Sequence, residues 1–504
     1  ATTSNGSVAY ANGASYEMGS ANVTLYAVWS ANAYTVTYDA NGGTGSMAQQ
    51  SIVFGQSENL TENAFTRSGY SFAGWATTSN GSVAYANGAS YEMGSANVTL
   101  YAVWTSPYST LRGSDIDGEF AGDQSGGNSQ SISLSDDGSV IAIGARFNDG
   151  NGTKSGHVRV FQYASGSWGQ RGSDFDGEEA NDQSGHSVSL SSDGSVIAIG
   201  AAFNDGGTPV GDRGHVRLYQ WNGSSWDQRG SDIDGEAAND QSGFSVSLSS
   251  NGNFVAVGAP MHDSPGKGNV GHVRVFQWNG TNWIQVGDDI EGEEAADGSG
   301  YSVSLSSDGS IVAIGAMWND GNGSNSGHVR VYGWNGTNWI QVGDDIDGEA
   351  ADDWSGRSVS LRNDGSVVAI GAYGNDGNGS NSGHVRVYGW NGTSWALRGD
   401  DINGKEAGDG SGISVSLSGD GGIVAIGAYA NDDGGLNSGH ARVFQWNGTS
   451  WSQIGPDIHG EAIKDYSGYA VSLSDDGSTL AIGARHNDGP GACCTSSGHV
   501  RVYQ

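Results

Sequence analysis

From residue 105 to residue 504, short apolar runs alternate with polar, glycine-rich stretches in an order that keeps returning. One period reads Ser-Val-Ser-Leu (residues 302–305), Ser-Ser-Asp-Gly-Ser, Ile-Val-Ala-Ile-Gly-Ala (residues 311–316), a polar stretch of Asn, Asp, Gly and Ser, His-Val-Arg-Val-Tyr (residues 328–332), Trp-Asn-Gly-Thr-Asn, and Trp-Ile-Gln-Val-Gly (residues 339–343). Short β-branched runs bounded by Gly, Asn, Asp and Ser predict strands, here four antiparallel strands per period. The histidine of the third run recurs as His157, His215, His272, His328, His384, His440 and His499, at steps of 58, 57, 56, 56, 56 and 59 residues. Four strands repeated seven times predict an all-β propeller of seven four-stranded blades over residues 105–504. The last repeat stops at Val502-Tyr503-Gln504, before its fourth strand, while residues 109–116 match that strand and precede the first repeat. The N-terminal strand is therefore expected to complete the seventh blade, leaving no exposed sheet edge to template aggregation.

The first hundred residues follow a different period. Residues 1–29 recur unchanged as residues 76–104, a 75-residue period that makes residues 30–104 one complete unit and residues 1–29 the C-terminal part of another. A start in mid-unit is read as a piece of a longer tandem array. Residues 34–43, YTVTYDANGG, predict a strand running into an Asn-Gly-Gly turn; SIVFGQ and NVTLYAVW predict two more. Tyr70, Phe72 and Trp75 are the candidate aromatic core. The elements Tyr38-Asp39-Ala40-Asn41-Gly42-Gly43, Gly69-Tyr70-Ser71-Phe72-Ala73-Gly74-Trp75 and Thr99-Leu100-Tyr101-Ala102-Val103-Trp104 resemble the internalin-type B repeat, also called the Listeria–Bacteroides repeat. The resemblance implies a small β-grasp-like module strung in tandem on bacterial surface proteins as a spacer or adhesive stalk.

The longer repeat resembles the FG-GAP family, the propeller of integrin α chains and of many bacterial surface proteins. The matching residues are Ser242-Gly243-Phe244-Ser245-Val246, then Val255-Ala256-Val257-Gly258-Ala259-Pro260, then Gly271-His272-Val273-Arg274-Val275-Phe276. Calcium-binding members carry a D-x-D-x-D-G loop between the first two strands. Here that turn is only Ser307-Asp308-Gly309-Ser310, too short to wrap an ion that takes six or more oxygens, so no calcium site is carried over.

Charge narrows the partners. The chain has 21 basic and 55 acidic residues, a net charge of −34. A polyanionic surface repels nucleic acid and anionic lipid. No signal peptide, lipidation motif or membrane-length apolar run occurs, so no direct membrane insertion is expected of this segment. Cys493 and Cys494 are adjacent and no C-x-x-C exists, which excludes a disulfide scaffold.

The acidic connections carry carboxylates two residues apart, as in Asp174/Asp176/Glu178, Asp232/Asp234/Glu236 and Asp345/Asp347/Glu349, with related sets at Asp115/Asp117/Glu119 and Asp289/Glu291/Glu293. Oxygens so spaced, with a glycine between, are candidate Ca²⁺ ligands; the other reading pairs one carboxylate with the repeated arginine and leaves the rest solvated. Those arginines are Arg159, Arg217, Arg274, Arg330, Arg386, Arg442 and Arg501, two residues beyond each motif histidine and on the same strand side. A residue kept in every blade reads as a fold determinant, so both sets are expected to be structural. Trp226, Trp283, Trp339, Trp395 and Trp451 close the third-to-fourth turn and are candidate sugar-stacking residues, or clamps over a blade edge. The Asn-Gly-Ser/Thr turns at Asn222, Asn279, Asn335, Asn391 and Asn447 fit tight turns and, in a eukaryotic host, N-glycosylation. No nucleophile elbow, HExxH or phosphate loop is present. Residues that break the repeat, Arg357, Trp354, Trp318, His186, His262, Lys267, Lys405 and Lys464, show no catalytic spacing. The expected function is a non-enzymatic extracellular or cell-surface protein, its tandem repeats a stalk and its propeller a head for adhesion to a protein or glycan. A filament or sheath built from copies of the chain is the second reading, and a propeller glycosidase or lyase the third.

Overall fold

Alternating apolar residues and glycine-rich turns yield strands throughout. The computed structural model describes residues 1–67, 70–206, 211–489 and 495–504, and among them there is no helix, so none that is long and apolar enough to cross a membrane. Gly69 of the aromatic motif and the Cys493–Cys494 pair lie outside the described residues. The chain divides into two compact units, Ala1–Thr105 and Ser106–Gln504.

In the first unit, Ala33–Asp39 is the inner strand of a mixed sheet. It pairs antiparallel with Gln50–Val53 and parallel with Val98–Thr105, which in turn pairs antiparallel with Ser71–Ala76. Trp75 is fully buried, 4.8 Å from the Tyr38 ring and 4.9 Å from Phe72. Tyr70 is not part of this core. It is 37% exposed, with the Arg67 guanidinium 3.9 Å above its ring, and Tyr38 takes the place expected for it. Truncating a fully buried Trp leaves a large cavity and costs about 3–5 kcal/mol. Trp75→Ala is therefore expected to abolish the melting transition of this unit and to leave that of the second unit unchanged, read by calorimetry.

The second unit is propeller-like: four-stranded sheets recur in chain order, each named below by its motif histidine. In the His328 sheet the order is Ser302–Leu305, Ile311–Ala316, His328–Trp334, Trp339–Gln341, all antiparallel. One element differs from the sequence reading. Ile346–Asp347, assigned to the acidic loop, is a second piece of the outer strand and pairs with Val329 and His328. Val342 N still donates to the Val331 carbonyl at 2.7 Å, and the residues between Val342 and Ile346 bulge out of the ladder. Gly343 in that bulge has φ +79°, and a Cβ there would lie 2.7 Å from the Trp390 ring of the next sheet. Only glycine meets both demands. In the last sheet, Ser467–Leu473, Leu480–Ala484 and His499–Tyr503 are joined by Ile116–Asp117 from the start of the unit, with Arg112 N donating to the Val502 carbonyl at 2.7 Å.

The inner strands are buried on both faces because neighbouring sheets pack on either side, with clusters such as Val273, Ile290, Val312, Ile314 and Tyr332 shared between two sheets. Sheet-to-sheet hydrogen bonds repeat too. Between the His328 and His384 sheets, Ser302 Oγ donates to the Gly356 carbonyl (2.8 Å) and Leu361 N to Ser304 Oγ (2.9 Å).

Candidate functional site

The repeated charged residues face the junctions between sheets. Arg386 donates to the Asp347 carbonyl at 2.6 Å, and its other Nη lies 3.3 Å from Glu349. The same pairing joins Arg159 to Glu119, Arg217 to Glu178, Arg274 to Glu236, Arg330 to Glu293 and Arg501 to Glu461, at 3.3–3.7 Å. Arg442 has no such partner, because Lys405 stands where the glutamate would be. Lys405 instead bridges Asp433 (2.6 Å) and Asp457 (2.8 Å).

The Asp345/Asp347/Glu349 triplet is divided rather than gathered around one ion. Asp345 approaches His328 of its own sheet at 3.7 Å, while Glu349 approaches His384 of the next at 3.9 Å. Asp347 sits in the strand between them. Likewise Glu178 goes to His215, where Asp232 joins it, and Asp174 goes to His157 with Glu119. Of the second triplet, Asp232 and Asp234 line a 360 Å³ cleft with Arg274 and Trp283, while Glu236 turns to Arg274. The middle carboxylate, Asp347, lies in the short outer strand, while Asp345 lies in the bulge before it and Glu349 beyond its end, so the three are carried to different partners.

The motif histidines are buried, and burial first, then neighbouring charge, holds them far below the ordinary 6.5. They fall to about 4 at His157 and His328, and to about 3 at His215, His272, His384, His440 and His499. The rings are neutral at pH 7. Their 3.7–4.0 Å approaches to carboxylates therefore meet the distance of an ion pair without being one. Carboxylates around them shift the other way: burial raises Glu119, Glu178, Asp176, Asp232 and Asp347 above their ordinary values.

The tryptophans clamp the sheets. The indole N–H of Trp226 donates to the Arg171 carbonyl, Trp283 to Arg229, Trp339 to Val286, Trp395 to Val342 and Trp451 to Arg398, at 2.7–2.8 Å, each bond reaching the preceding sheet. Arg229 also lies 4.9 Å over Trp278.

Some of the residues that break the repeat gather elsewhere. Residues 127–130 are longer by three than the single residue, His186, that follows the corresponding Ser-Gly in the next repeat. This insertion crosses to distant sheets: Gln130 Nε2 donates to the Tyr301 carbonyl (3.1 Å), and Arg357 Nη1 donates to Ser129 Oγ (2.9 Å). Arg357, only 6% exposed, lies 4.9 Å over the Tyr301 ring. Arg485 lies 4.7 Å over Tyr469, and Arg146 belongs to the same charge group. Burial pushes the Tyr469 phenol up, but Arg357, Arg485 and Arg146 outweigh it and hold the group below its ordinary value. Among the described residues none of these three arginines pairs with a carboxylate, although the chain carries 55 acidic residues. Trp318 packs edge-on against Tyr301, and Trp354 stacks on Tyr373. Sequence reasoning singled out Arg357, Trp318 and Trp354 but missed Arg146 and Arg485. Their signal is the position after Gly-Ala in the second strand, occupied in turn by Arg146, Ala202, Pro260, Met317, Tyr373, Tyr429 and Arg485.

Residues 34–103 match the model of the Listeria-Bacteroides repeat domain. Residues 291–332, 346–388 and 403–444 match the FG-GAP repeat. The chain thus carries one repeat of the first kind and repeats of the FG-GAP type. Among curated proteins it is similar to two from Evansella cellulosilytica. A "Putative membrane protein" is 41% identical over 91 residues, 17% of this chain and 14% of that protein. A "Putative Gly-rich membrane protein" is 37% identical over 94 residues, 18% of this chain and 11% of that protein. The chain therefore spans only a small part of either relative. Similar solved structures include Kuenenia stuttgartiensis hydrazine synthase (TM-score 0.46, 13% identity, 74% of this chain and 94% of that one). A "putative 6-phosphogluconolactonase" of Bacteroides uniformis has TM-score 0.45 and 12% identity, over 66% of this chain and 85% of that one. Likenesses of this degree carry nothing about the chemistry of this chain.

Proposed function

We propose that residues 105–504 form a closed seven-bladed propeller that serves as the ligand-binding head of a bacterial surface protein, and that its ligand is an acidic glycan held by Arg146, Arg357 and Arg485. Closure is supported by two cycles of hydrogen bonds. Backbone N–H groups donate from Asp136 to Ser192, on to Ser250, Ser307, Asn363, Gly419 and Asp475, and from Asp475 back to Asp136. The leucine that ends each first strand donates to a serine of the preceding sheet, and Leu134 of the first sheet donates to Ser472 of the last. The surface location is supported by the tandem repeat match and by the names of the two relatives.

The observation that carries the ligand reading is the convergence of three guanidiniums without a carboxylate. In a chain of net charge −34 such arginines need an anion from elsewhere, and arginine forks match carboxylates and sulfates in pairs. Half-buried Tyr301, Tyr373 and Tyr469 pack against these arginines and Trp354 and hold the guanidiniums in place. The repeated arginines and tryptophans are engaged in joining sheets, and the head is read as one that binds without turnover.

A glycan array probed with the full chain is expected to retain uronate- or sulfate-bearing glycans and to release neutral ones. Arg146→Gln with Arg485→Gln, both at half-buried positions, is expected to lower that binding at least tenfold at an unchanged melting temperature. Binding that survives both substitutions, or filaments formed by the purified chain at low concentration, would overturn the reading.

A further inference from the structure

We propose that His262 and His272, with Glu236 and the carboxylates of Asp289 and Glu291, form a single transition-metal site of the Zn²⁺ class between the second and third sheets of the second unit. Groups of one motif histidine with two carboxylates recur at other junctions, but a second histidine joins the motif histidine from this loop position in one repeat only. Where this repeat has His262, the other six have asparagine: Asn148, Asn204, Asn319, Asn375, Asn431 and Asn487. Those asparagines have a structural task. Asn148 donates to Asp123 at 3.0 Å and Asn204 to Asp182 at 3.0 Å, tying the loop after the second strand to the acidic loop. His262 keeps that tie through Nδ1, 3.2 Å from Asp240. The exchange therefore adds a second ring nitrogen, Nε2, which lies 3.9 Å from Glu291.

His272 supplies the independent observation. It is fully buried, yet neither ring nitrogen has a hydrogen-bond partner. Its ring lies 4.0 Å from that of His262, inclined by 24°. One donor atom each from Glu236, His262 and His272 falls within 4.8 Å of the others, and the same holds for His272, Asp289 and Glu291. His272 Nδ1 is 3.8 Å from Asp289 Oδ2. That is too long for a hydrogen bond and close to the separation of two donors on one ion bound at about 2.0–2.2 Å. Arg274 competes for Glu236 from 3.6 Å, so the remaining carboxylates carry most of the charge complementarity. Glu236 and Glu291, both more than two-fifths exposed, leave the ion a way in.

Two imidazoles with carboxylates select a borderline ion over Ca²⁺, which takes oxygens alone. This differs from a calcium reading of the acidic triplets and does not depend on Arg146, Arg357 or Arg485. The test is titration of the full chain with Zn²⁺ and with Ca²⁺ by calorimetry, beside His262→Asn. That variant restores the residue of six other repeats, so its fold is secure. The wild type is expected to bind Zn²⁺ at one site that His262→Asn weakens at least about tenfold, the least that loss of even a supporting residue costs a metal site. Absence of Zn²⁺ binding, equal affinity in the two proteins, or preference of this site for Ca²⁺ would each sink the proposal.

Discussion

Lowering the pH from 7 to 5 is expected to remove most of the stability of the second unit. The seven motif histidines are buried and neutral, with values near 3 or 4 in the folded chain against 6.5 in the unfolded one. Between those limits the unfolded state binds more protons, so stability falls as pH falls. It is fully present above 6.5. Each ring costs about 1.4 kcal/mol per pH unit once the pH is well below 6.5, or about 2 kcal/mol at pH 5. Seven rings together reach the ~5–15 kcal/mol that stabilises a typical domain. The raised carboxylates act with the opposite sign, since the folded state keeps their protons more readily. They offset part of the loss in the range where they titrate. Calorimetric melting at half-unit pH steps should show a steep fall in Tm beginning near pH 6.5, with proton uptake on unfolding. A flat Tm between pH 7 and 5 would mean that the histidines are accessible in the folded chain.

The second large effect concerns residues 106–117. A chain beginning at Ser106 is expected to melt as the second unit does in the full chain, whereas one beginning at Gly118 should melt several kcal/mol lower and aggregate. Removal takes away Tyr108, 3% exposed with its hydroxyl on the Gly477 carbonyl, and Ile116, 4% exposed. Each buried side chain of this kind contributes about 2–5 kcal/mol. It also strips the ladder partners of Val500 and His499, leaving His499–Tyr503 as an open edge free to pair with another chain. Identical melting curves and equal solubility for the two chains would refute closure of the ring by the N-terminal strand.

The strands were legible because their signal is local. A β-branched run between Asp-Gly and Asn-Gly turns specifies a strand whatever surrounds it, and a constant period reveals how many such units recur. The site was less legible, for a physical reason visible in three places. Asp345, Asp347 and Glu349 read as one ligand set, but a bulge at Gly343 puts Asp347 into the ladder and sends its neighbours to different histidines. Tyr70 reads as core, yet Tyr38 holds that place. Arg146 and Arg485 meet Arg357 from 211 and 128 residues away in sequence, a proximity that no spacing encodes.

The two identical stretches of 29 residues separate the contributions most cleanly. In residues 76–104 the sequence forms Ser90–Glu92 and Val98–Thr105, and Leu100 is fully buried. In residues 1–29 the same letters form no strand, and the equivalent Leu25 is 50% exposed and Trp29 is 89% exposed. Among the described residues the later copy pairs with Ala33–Asp39 and Ser71–Ala76 on its two sides, and the earlier copy pairs with neither. Turn chemistry, apolar alternation and repeat period were set by the sequence alone. Which backbone completes a ladder, which carboxylate meets which histidine, and which arginines stand together without an acid were decided by the tertiary structure. A strand cannot satisfy its own hydrogen bonds, and a charge takes its chemistry from neighbours that lie far away in the chain.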